Sequence, residues 1–573
     1  MMLKSAMLQT VLELWHKNTE IYDTAPFFTK KFHKKCHVWP KKHYFYRSKT
    51  NAMKAKLTFM TILAAILASC SPKETTLTLV ETTDTHGRYD EFANDAFVIK
   101  QMKAQLGDRL ILLDNGDDLQ GSVFQYCSNQ DTEHPNLVSE VLNYLSYDVA
   151  CVGNHDIEAG RKVFDRLYSE VNMPVVCANV IDETTGEPYF TPYVVLERDG
   201  FKIAVLGLLT PYVVTWVPDR LRPGLRFEQL ESAAAQWVET IQEKEHPDLM
   251  IGLLHSGYEP QVQNLPEGHP LGRENATKWV AENVPGFDIL FYGHDHRAKA
   301  EKLMNPNGEP VYVLNSGCRG QGLAKAEVTL KKGEKPVINV ELMPTEGEEK
   351  DSTYLAMLQP YLDRAEEYKQ RKVAELPIGI GSDDAFKGPC LWVDIIHRCQ
   401  LETVEAEGIH ADISMAAPLG SGKTIEAGML TVNDFFTWYP FENSLAVMAL
   451  TGKEVKDFLE YAYEMKNPIY NFDSGAGLIY EVTDKKPMGQ RIKIISMADG
   501  TPFDMDKTYN VVMNSYRSMG GGNHLINGLG WAQEEIKDHV VWQSDRDLRS
   551  IFIDWAAKKG TLDTEPLNCW KIK

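Results

Sequence analysis

Short apolar runs punctuate residues 77 to about 345, each closed by turn-forming residues. The runs LTLVET (77–82), RLILLD (109–114), DVACVG (148–153), PVVCAN (174–179), KIAVLGLL (202–209), LMIGLLH (249–255), DILFYG (288–293) and PVYVLN (310–315) are predicted strands. Runs of that length, rich in Val, Ile and Leu, suit a pleated and buried surface. Between several of them apolar positions recur at helical spacing, as in 228–244 and 274–283. Strands alternating with helices predict a layered α/β domain over 77–345. The close-set strands of 193–209 add some antiparallel pairing. Residues 351–373, DSTYLAMLQPYLDRAEEYKQRKV, predict a charged amphipathic linker helix, broken or kinked at Pro360. The rest, 374–573, has its own apolar runs, Gly-rich turns and aromatics, enough for a second, α+β domain. Two domains are also what a 573-residue chain requires, since single cores stop growing well below that length.

The first seventy residues break this pattern. Residues 1–52 are basic and aromatic without periodicity, whereas MKAKLTFMTILAAILASC (53–70) has a positive start, a short apolar stretch and small residues before a cysteine. That is the layout of a signal peptide, and its apolar stretch is too short for a stable membrane span. LASC (67–70) resembles the bacterial lipobox, which implies lipidation of Cys70; an ordinary secretory cleavage site is the alternative. Met53 is then the expected start, with 1–52 an upstream leader outside the working protein. Residues 1–69 hold 12 Lys and Arg against 3 Asp and Glu, so a whole-chain charge of −20 becomes about −29 for the remainder. An exported protein this acidic lacks the electrostatic footprint of a duplex nucleic-acid binder. Small anionic substrates remain open to it where metal ions supply local positive charge. Of nine cysteines, the seven beyond Cys36 and Cys70 contain no C-x-x-C, which indicates neither a zinc ribbon nor a dense disulfide framework.

The chemistry sits where the apolar runs stop. DTH (84–86), NGDD (115–118), GNHD (153–156), LLHSG (253–257) and GHDH (293–296) each end a predicted strand. In α/β sheets the carboxyl ends of strands gather around one crevice, so residues far apart in sequence meet there. Together they offer Asp84, His86, Asp117, Asn154, His255, His294 and His296, nitrogen and oxygen donors with no thiolate. Any one alone has a bland explanation, because Asp and Asn favour turns after strands. As a set they suffice for two adjacent divalent ions bridged by one carboxylate, with Mn, Zn, Fe and Co all suited to such donors.

This motif order is similar to that of the calcineurin-like metallophosphoesterases, and with the second half included the chain resembles the exported 5′-nucleotidase family. DNGDDLQGS (114–122), ANVIDETTGEPYFTPY (178–193), ADISMAAPL (411–419), LTGKEVKDFLEY (450–461) and YRSMGGGNH (516–524) look closest to its 2′,3′-cyclic-nucleotide 2′-phosphodiesterase/3′-nucleotidase branch. The resemblance implies one metal held by Asp84, His86 and His296, a second by Asn154, His255 and His294, and Asp117 between them. It implies that His155 stabilises the transition state and supplies a proton to the leaving oxygen, and it makes Glu158 a candidate acidic partner of His155. A solvated loop carboxylate is the other reading of Glu158. It further implies that Phe441 in YPFEN (439–443) and Tyr516 in NSYRSMGGG (514–522) stack on either face of the base.

One departure is informative. Family 5′-nucleotidases place a phosphate-gripping arginine in a glycine-rich loop, but the matching stretch here, AAPLGSGKT (416–424), has none. That favours a nucleotidase acting on 2′,3′-cyclic and 3′-nucleotides over the alternative, a 5′-nucleotidase or nucleotide-sugar hydrolase. GSGKT also invites comparison with a phosphate-binding P-loop ending in Lys423, but Ala417 replaces the required first glycine and IEAGML ends too soon for the helix such a loop needs. A non-catalytic surface-binding lipoprotein is the expectation from another class. The partners expected are a nucleotide and, through the lipid alone, the bacterial cell envelope.

Overall fold

Eight of the first fourteen strands coincide with the predicted runs. In chain order the fourteen are β1 (Glu74–Thr82), β2 (Leu110–Asp114), β3 (Val149–Cys151), β4 (Val175–Val176), β5 (Val180–Asp182), β6 (Tyr193–Arg198), β7 (Phe201–Leu209), β8 (Leu225–Phe227), β9 (Leu249–His255), β10 (Ile289–Tyr292), β11 (Lys299–Met304), β12 (Pro310–Asn315), β13 (Gly322–Lys331) and β14 (Val337–Pro344). Of those outside the predicted runs, β6, β11, β13 and β14 extend the same sheets and β5 and β8 pair with each other. The computed structural model describes residues 74–259, 271–466, 471–533 and 535–573, and 74–573 form one compact unit. The leader, the signal stretch and Cys70 lie outside the described residues.

Two six-stranded mixed sheets, ordered β14-β13-β1-β2-β3-β4 and β11-β12-β10-β9-β7-β6, stack face to face. Their shared core interleaves Leu77, Leu79, Ile111 and Leu113 of one sheet with Ile203, Val205, Ile251, Leu253 and Phe291 of the other. The outer faces are covered by helices, Ala93–Leu106 and Leu137–Leu145 on the first sheet and Leu230–Glu245 on the second. Strands buried on both sides explain why these runs are continuously apolar rather than alternating. The central strands β1, β2 and β3 are parallel, as are β7, β9, β10 and β12. Their carboxyl ends therefore open on one edge of the sandwich. The expected antiparallel pair is β6 with β7.

The segment after β14 forms one helix, Ser352–Lys369, with Pro360 inside it. Of the expected break or kink at Pro360, the break does not occur: Tyr354, Leu358 and Ala365 bury one face against the first domain, and the Tyr354 hydroxyl donates to Tyr89 O at 2.9 Å. That packing outweighs the hydrogen bond a proline removes.

Beyond it lies a five-stranded sheet in the order Ser474–Ala476, Ile413–Ala416, Thr508–Asn514, Ser444–Thr451, Val540–Asp547. Leu391–Ala406 and Leu548–Lys559 pack on one side and Gly452–Glu464 on the other. Residues 416–424 run from a strand into the short strand Thr424–Ile425, with no helix behind them, so the P-loop comparison fails on structure as well. All seven described cysteines are free thiols.

Candidate metal centre and substrate cleft

All seven residues expected to ligate metal lie within or just beyond the ends of β1, β2, β3, β9 and β10. Among the described residues twelve non-glycines have positive φ, and five of them are Asp84, His86, Asp117, His294 and His296. Left-handed backbone at a β-carbon residue is unfavourable, and its concentration here means the fold sacrifices local comfort to aim these side chains. The adjoining glycines are required by space. A Cβ on Gly153 would lie 2.2 Å from Asp117 N and Oδ1, and one on Gly293 would lie 2.2 Å from Thr83 Oγ1 and 2.7 Å from Asp84 Oδ2.

The donor atoms form two groups that share Asp117: Asp84, His86, Asp117 and His296 in one, Asp117, His255 and His294 in the other, with atoms within 4.8 Å of one another in each. His86 Nε2 is 2.8 Å from His296 Nε2, and His296 Nε2 is 3.3 Å from Asp84 Oδ1. Asn154 Oδ1 is 3.2 Å from His255 Nε2 and 2.8 Å from His294 Nδ1.

Ring partners decide which nitrogen faces inward. His255 Nδ1 meets Asn115 O at 2.6 Å, His86 Nδ1 meets Gln120 O at 3.1 Å, and His294 Nε2 meets Glu274 Oε1 at 3.1 Å. A carbonyl or carboxylate only accepts, so those nitrogens carry the hydrogen and the opposite ones present lone pairs. With neutral rings, lone pairs of three imidazoles converge with carboxylate and carboxamide oxygens, an arrangement that repels itself unless a cation, a proton or a metal ion, sits among them. Asp117 Oδ2 is buried without a hydrogen-bond donor, although His255 Nε2 lies 3.1 Å away.

The electrostatics agree. Burial disfavours charge on His255, yet Asp117 and Asp84 push its pKa up to about 10. Burial likewise opposes ionisation of Asp117, and His255 and His155 more than offset it, holding that carboxyl well below its usual range. The carboxylates draw in protons that a dication would displace. The donors present fit a binuclear metal centre.

His155 stands beside this cluster and is not part of it. Its backbone N–H donates to Asp117 Oδ1 at 2.8 Å, its ring lies 5.3 Å from that of His86, and its Nδ1 is 2.5 Å from Glu158 Oε2. Burial lowers the His155 pKa, but Asp117 and Glu158 outweigh it and hold it up at about 9. Glu158 is thus bound to the imidazole rather than solvated, its side chain 16% exposed.

Sequence reasoning missed three supporting residues. Asp156, buried, accepts from the backbone N–H of Asp117, Asp118, Leu119 and Gly153 at 2.8–3.0 Å, tying the β2 loop to the β3 loop. Its signal was available: it is the third residue of the helix Asn154–Glu158, the position that caps a helix start. Glu274 and Trp216, which stacks on the His294 ring at 5.6 Å, carry no local signal.

Two variants test this support. Asp156→Ala leaves four buried N–H groups without their acceptor, at about 1–3 kcal/mol for each that water cannot reach; thermal unfolding is expected to show one of the largest destabilisations of any single substitution in the domain. Glu274→Ala frees the His294 ring, and a titration with Mn²⁺ is expected to show affinity about 10–100-fold weaker.

In the second domain Phe441 lies between the helix Val432–Trp438 and the strand Ser444–Thr451, and its side chain is 38% exposed. Tyr516 is half-buried in the helix Ser515–Ser518. Leu445 pairs with Asn514 and Ser444 N donates to Ser515 Oγ at 3.0 Å, so the two aromatic loops leave the sheet side by side. Between Pro440 and Glu442 and the first domain's Arg88, Gly121 and Ser122 runs a cleft of about 590 Å³, lined by neither Phe441 nor the metal donors.

Comparison with known proteins meets this geometry at both ends. The calcineurin-like phosphoesterase family matches residues 77–298 and the 5′-nucleotidase C-terminal domain matches 372–527. A 2′,3′-cyclic-nucleotide 2′-phosphodiesterase/3′-nucleotidase of Salmonella typhimurium is 25% identical over 616 residues, 89% of this chain and 91% of its own. A trifunctional nucleotide phosphoesterase of Bacillus subtilis is 25% identical over 87% of this chain, which spans 39% of that longer protein. The solved structure of a putative 5′-nucleotidase from Staphylococcus aureus shares the fold, with a TM-score of 0.72 at 21% identity over 87% of this chain and 100% of its own. These matches set aside a purely binding role. Matched through the strand ends that carry the donors and through the loops of Phe441 and Tyr516, the chain belongs to the calcineurin-like phosphoesterases of the 5′-nucleotidase type, metal-dependent hydrolases of phosphoric esters.

Proposed function

We propose that the protein is an exported, lipid-anchored nucleotide phosphohydrolase acting on 2′,3′-cyclic and 3′-nucleotides. The observation that carries the hydrolytic part is the convergence of ring nitrogens and carboxylate oxygens around Asp117. In this reading Asp84, His86 and His296 hold one divalent ion, Asn154, His255 and His294 the other, and Asp117 both. Bound there, such a pair acidifies a water and absorbs charge on the phosphoryl oxygens. Mn, Zn, Fe and Co all suit the donor set.

The chain's own residues supply the rest. His155 lies within reach of a phosphoryl group at the cluster and offers its Nε2 hydrogen to the leaving oxygen, while Glu158 fixes the other nitrogen as a donor. Water adds to phosphorus as the P–O2′ bond breaks, leaving a 3′-nucleotide; a second water breaks P–O3′ and releases phosphate and nucleoside. Phe441 and Tyr516 stack the base, a sequence-tolerant contact that accepts several nucleobases.

The substrate preference rests on the arginine-free loop 416–424 and on the activity named for the Salmonella relative. The name of the Staphylococcus neighbour supports 5′-nucleotides as a second reading. The two separate in one assay: phosphate release from 3′-AMP, 5′-AMP and, with a coupling phosphatase, 2′,3′-cyclic AMP, using Cys70→Ser protein with Mn²⁺ or EDTA. Metal-dependent preference for the first and third substrates is expected. Preference for 5′-AMP overturns the 3′/cyclic assignment, and turnover undiminished by EDTA overturns the metal centre. Export and anchoring are tested by the mass of the native N-terminus, expected to begin at a lipidated Cys70.

A further inference from the structure

Two arginines rank among the largest side chains that are almost completely buried, Arg517 and Arg549. Arg549 follows Leu548 at the start of the helix Leu548–Lys559, and its guanidinium reaches the loop that carries Phe441. One terminal nitrogen donates to Pro440 O at 3.1 Å and the other to Glu442 Oε1 at 3.1 Å. Leu548 N donates to Asn443 O. Residues on both sides of Phe441 are therefore gripped by one pair of neighbours, while Phe441 itself projects into the open. The guanidinium is held in turn between rings, 3.8 Å from the centroid of Phe436 and 4.8 Å from that of Tyr126.

Tyr126 belongs to the first domain, and its hydroxyl donates to Asp547 Oδ2 at 3.3 Å. Asp547 caps the same helix by accepting from Ser550 N at 2.8 Å. The brace of the Phe441 loop is thus also the point where that loop meets the catalytic domain. A planar fork with two ends, stacked on aromatic faces, is a task for arginine that lysine does not perform.

We propose that Arg549 is a positioning residue for nucleotide binding: by fixing Pro440 and Glu442 it presents Phe441 to the base, and through Tyr126 it sets that ring's position relative to the metal cluster. The inference rests on the base-stacking role of Phe441 and deepens it. A buried charge pair that served stability alone would have no reason to bracket the one exposed aromatic of the loop.

The test compares a nucleotide, 3′-AMP or whichever mononucleotide the enzyme prefers, with a base-free ester, glycerol 2-phosphate, on the full chain loaded with Mn²⁺. Arg549→Lys is expected to raise KM for the nucleotide by about 5- to 10-fold, the lower part of what losing one stacked ring costs. Its kcat at saturation, and kcat/KM for glycerol 2-phosphate, are expected to stay within about twofold. Phe441→Ala should show the same selective loss, and the double variant should add little to either, because the two act through one contact. Equal losses on both substrates, or losses that multiply in the double variant, overturn the proposal. Should Arg549→Lys fail to fold, Glu442→Ala releases one side of the loop and is expected to raise the nucleotide KM selectively; an unchanged KM overturns the proposal by that route. If Phe441→Ala leaves the nucleotide KM untouched, base stacking itself fails and takes this inference with it. If Phe441→Ala raises it and Arg549→Lys does not, stacking stands and only the brace is refuted.

Discussion

Asp117→Ala is expected to reduce nucleotide hydrolysis by about 10³–10⁴-fold, since metal-assisted charge stabilisation supplies several kcal/mol and each 1.36 kcal/mol is a decade in rate. Asp117 is the residue common to both groups of donors. Its Oδ1 accepts from His155 N and its Oδ2 is buried without a donor, so truncation removes both the link between the groups and the anchor of the His155 backbone. The fold is expected to tolerate the loss. Asp117 carries a positive φ of 62°, which costs less for alanine than for a branched residue, and the strand-end loops remain tied by Asp156. The measurements are kcat with added Mn²⁺ and metal content by elemental analysis after dialysis. Retained turnover, or loss of turnover in a protein that no longer melts cooperatively, would sink the bridging assignment.

The comparison of expectation with structure divides along physical lines. Strands β9 and β12 coincide residue for residue with their apolar runs, because both lie inside the sheet, β9 buried along its whole length and β12 at four of its six positions. The run at 174–179 yields only the two residues of β4, an edge strand, after which the chain turns away to pair β5 with β8. Edge strands such as β11, KAEKLM, alternate exposure and carry too many charges to be read as apolar runs. The donors of the candidate centre were legible since strand ends in α/β sheets converge. Their outer partners were not: Glu274 reaches His294 from a loop twenty residues away, and nothing in its neighbours marks it. Arg549 was invisible for the same reason, since its partners lie more than a hundred residues earlier. At Pro360 the local signal for ending the helix is overruled by the face that Tyr354 and Leu358 bury.

His155→Ala is expected to lower kcat by about 10²–10⁴-fold, the usual worth of a positioned acid, while leaving bound metal unchanged because His155 belongs to neither donor group. That separation of rate from metal content distinguishes it from every ligand substitution. Glu158 then sorts by what it does to the ring. Its Oε2 lies 2.5 Å from His155 Nδ1, so the carboxylate accepts from Nδ1–H and favours the imidazolium, the form that also carries a hydrogen on Nε2. Glu158→Gln offers a neutral carbonyl in place of that charge and is expected to cost less than His155→Ala; Glu158→Ala, which releases the ring, is expected to cost more than Glu158→Gln. Combined with His155→Ala, neither should lower kcat further, since Glu158 acts on the reaction only through that imidazole. A Glu158→Ala enzyme with unaltered kcat would leave the Glu158–His155 contact without a part in the reaction, and a further loss in the double variant would mean that Glu158 meets the substrate directly.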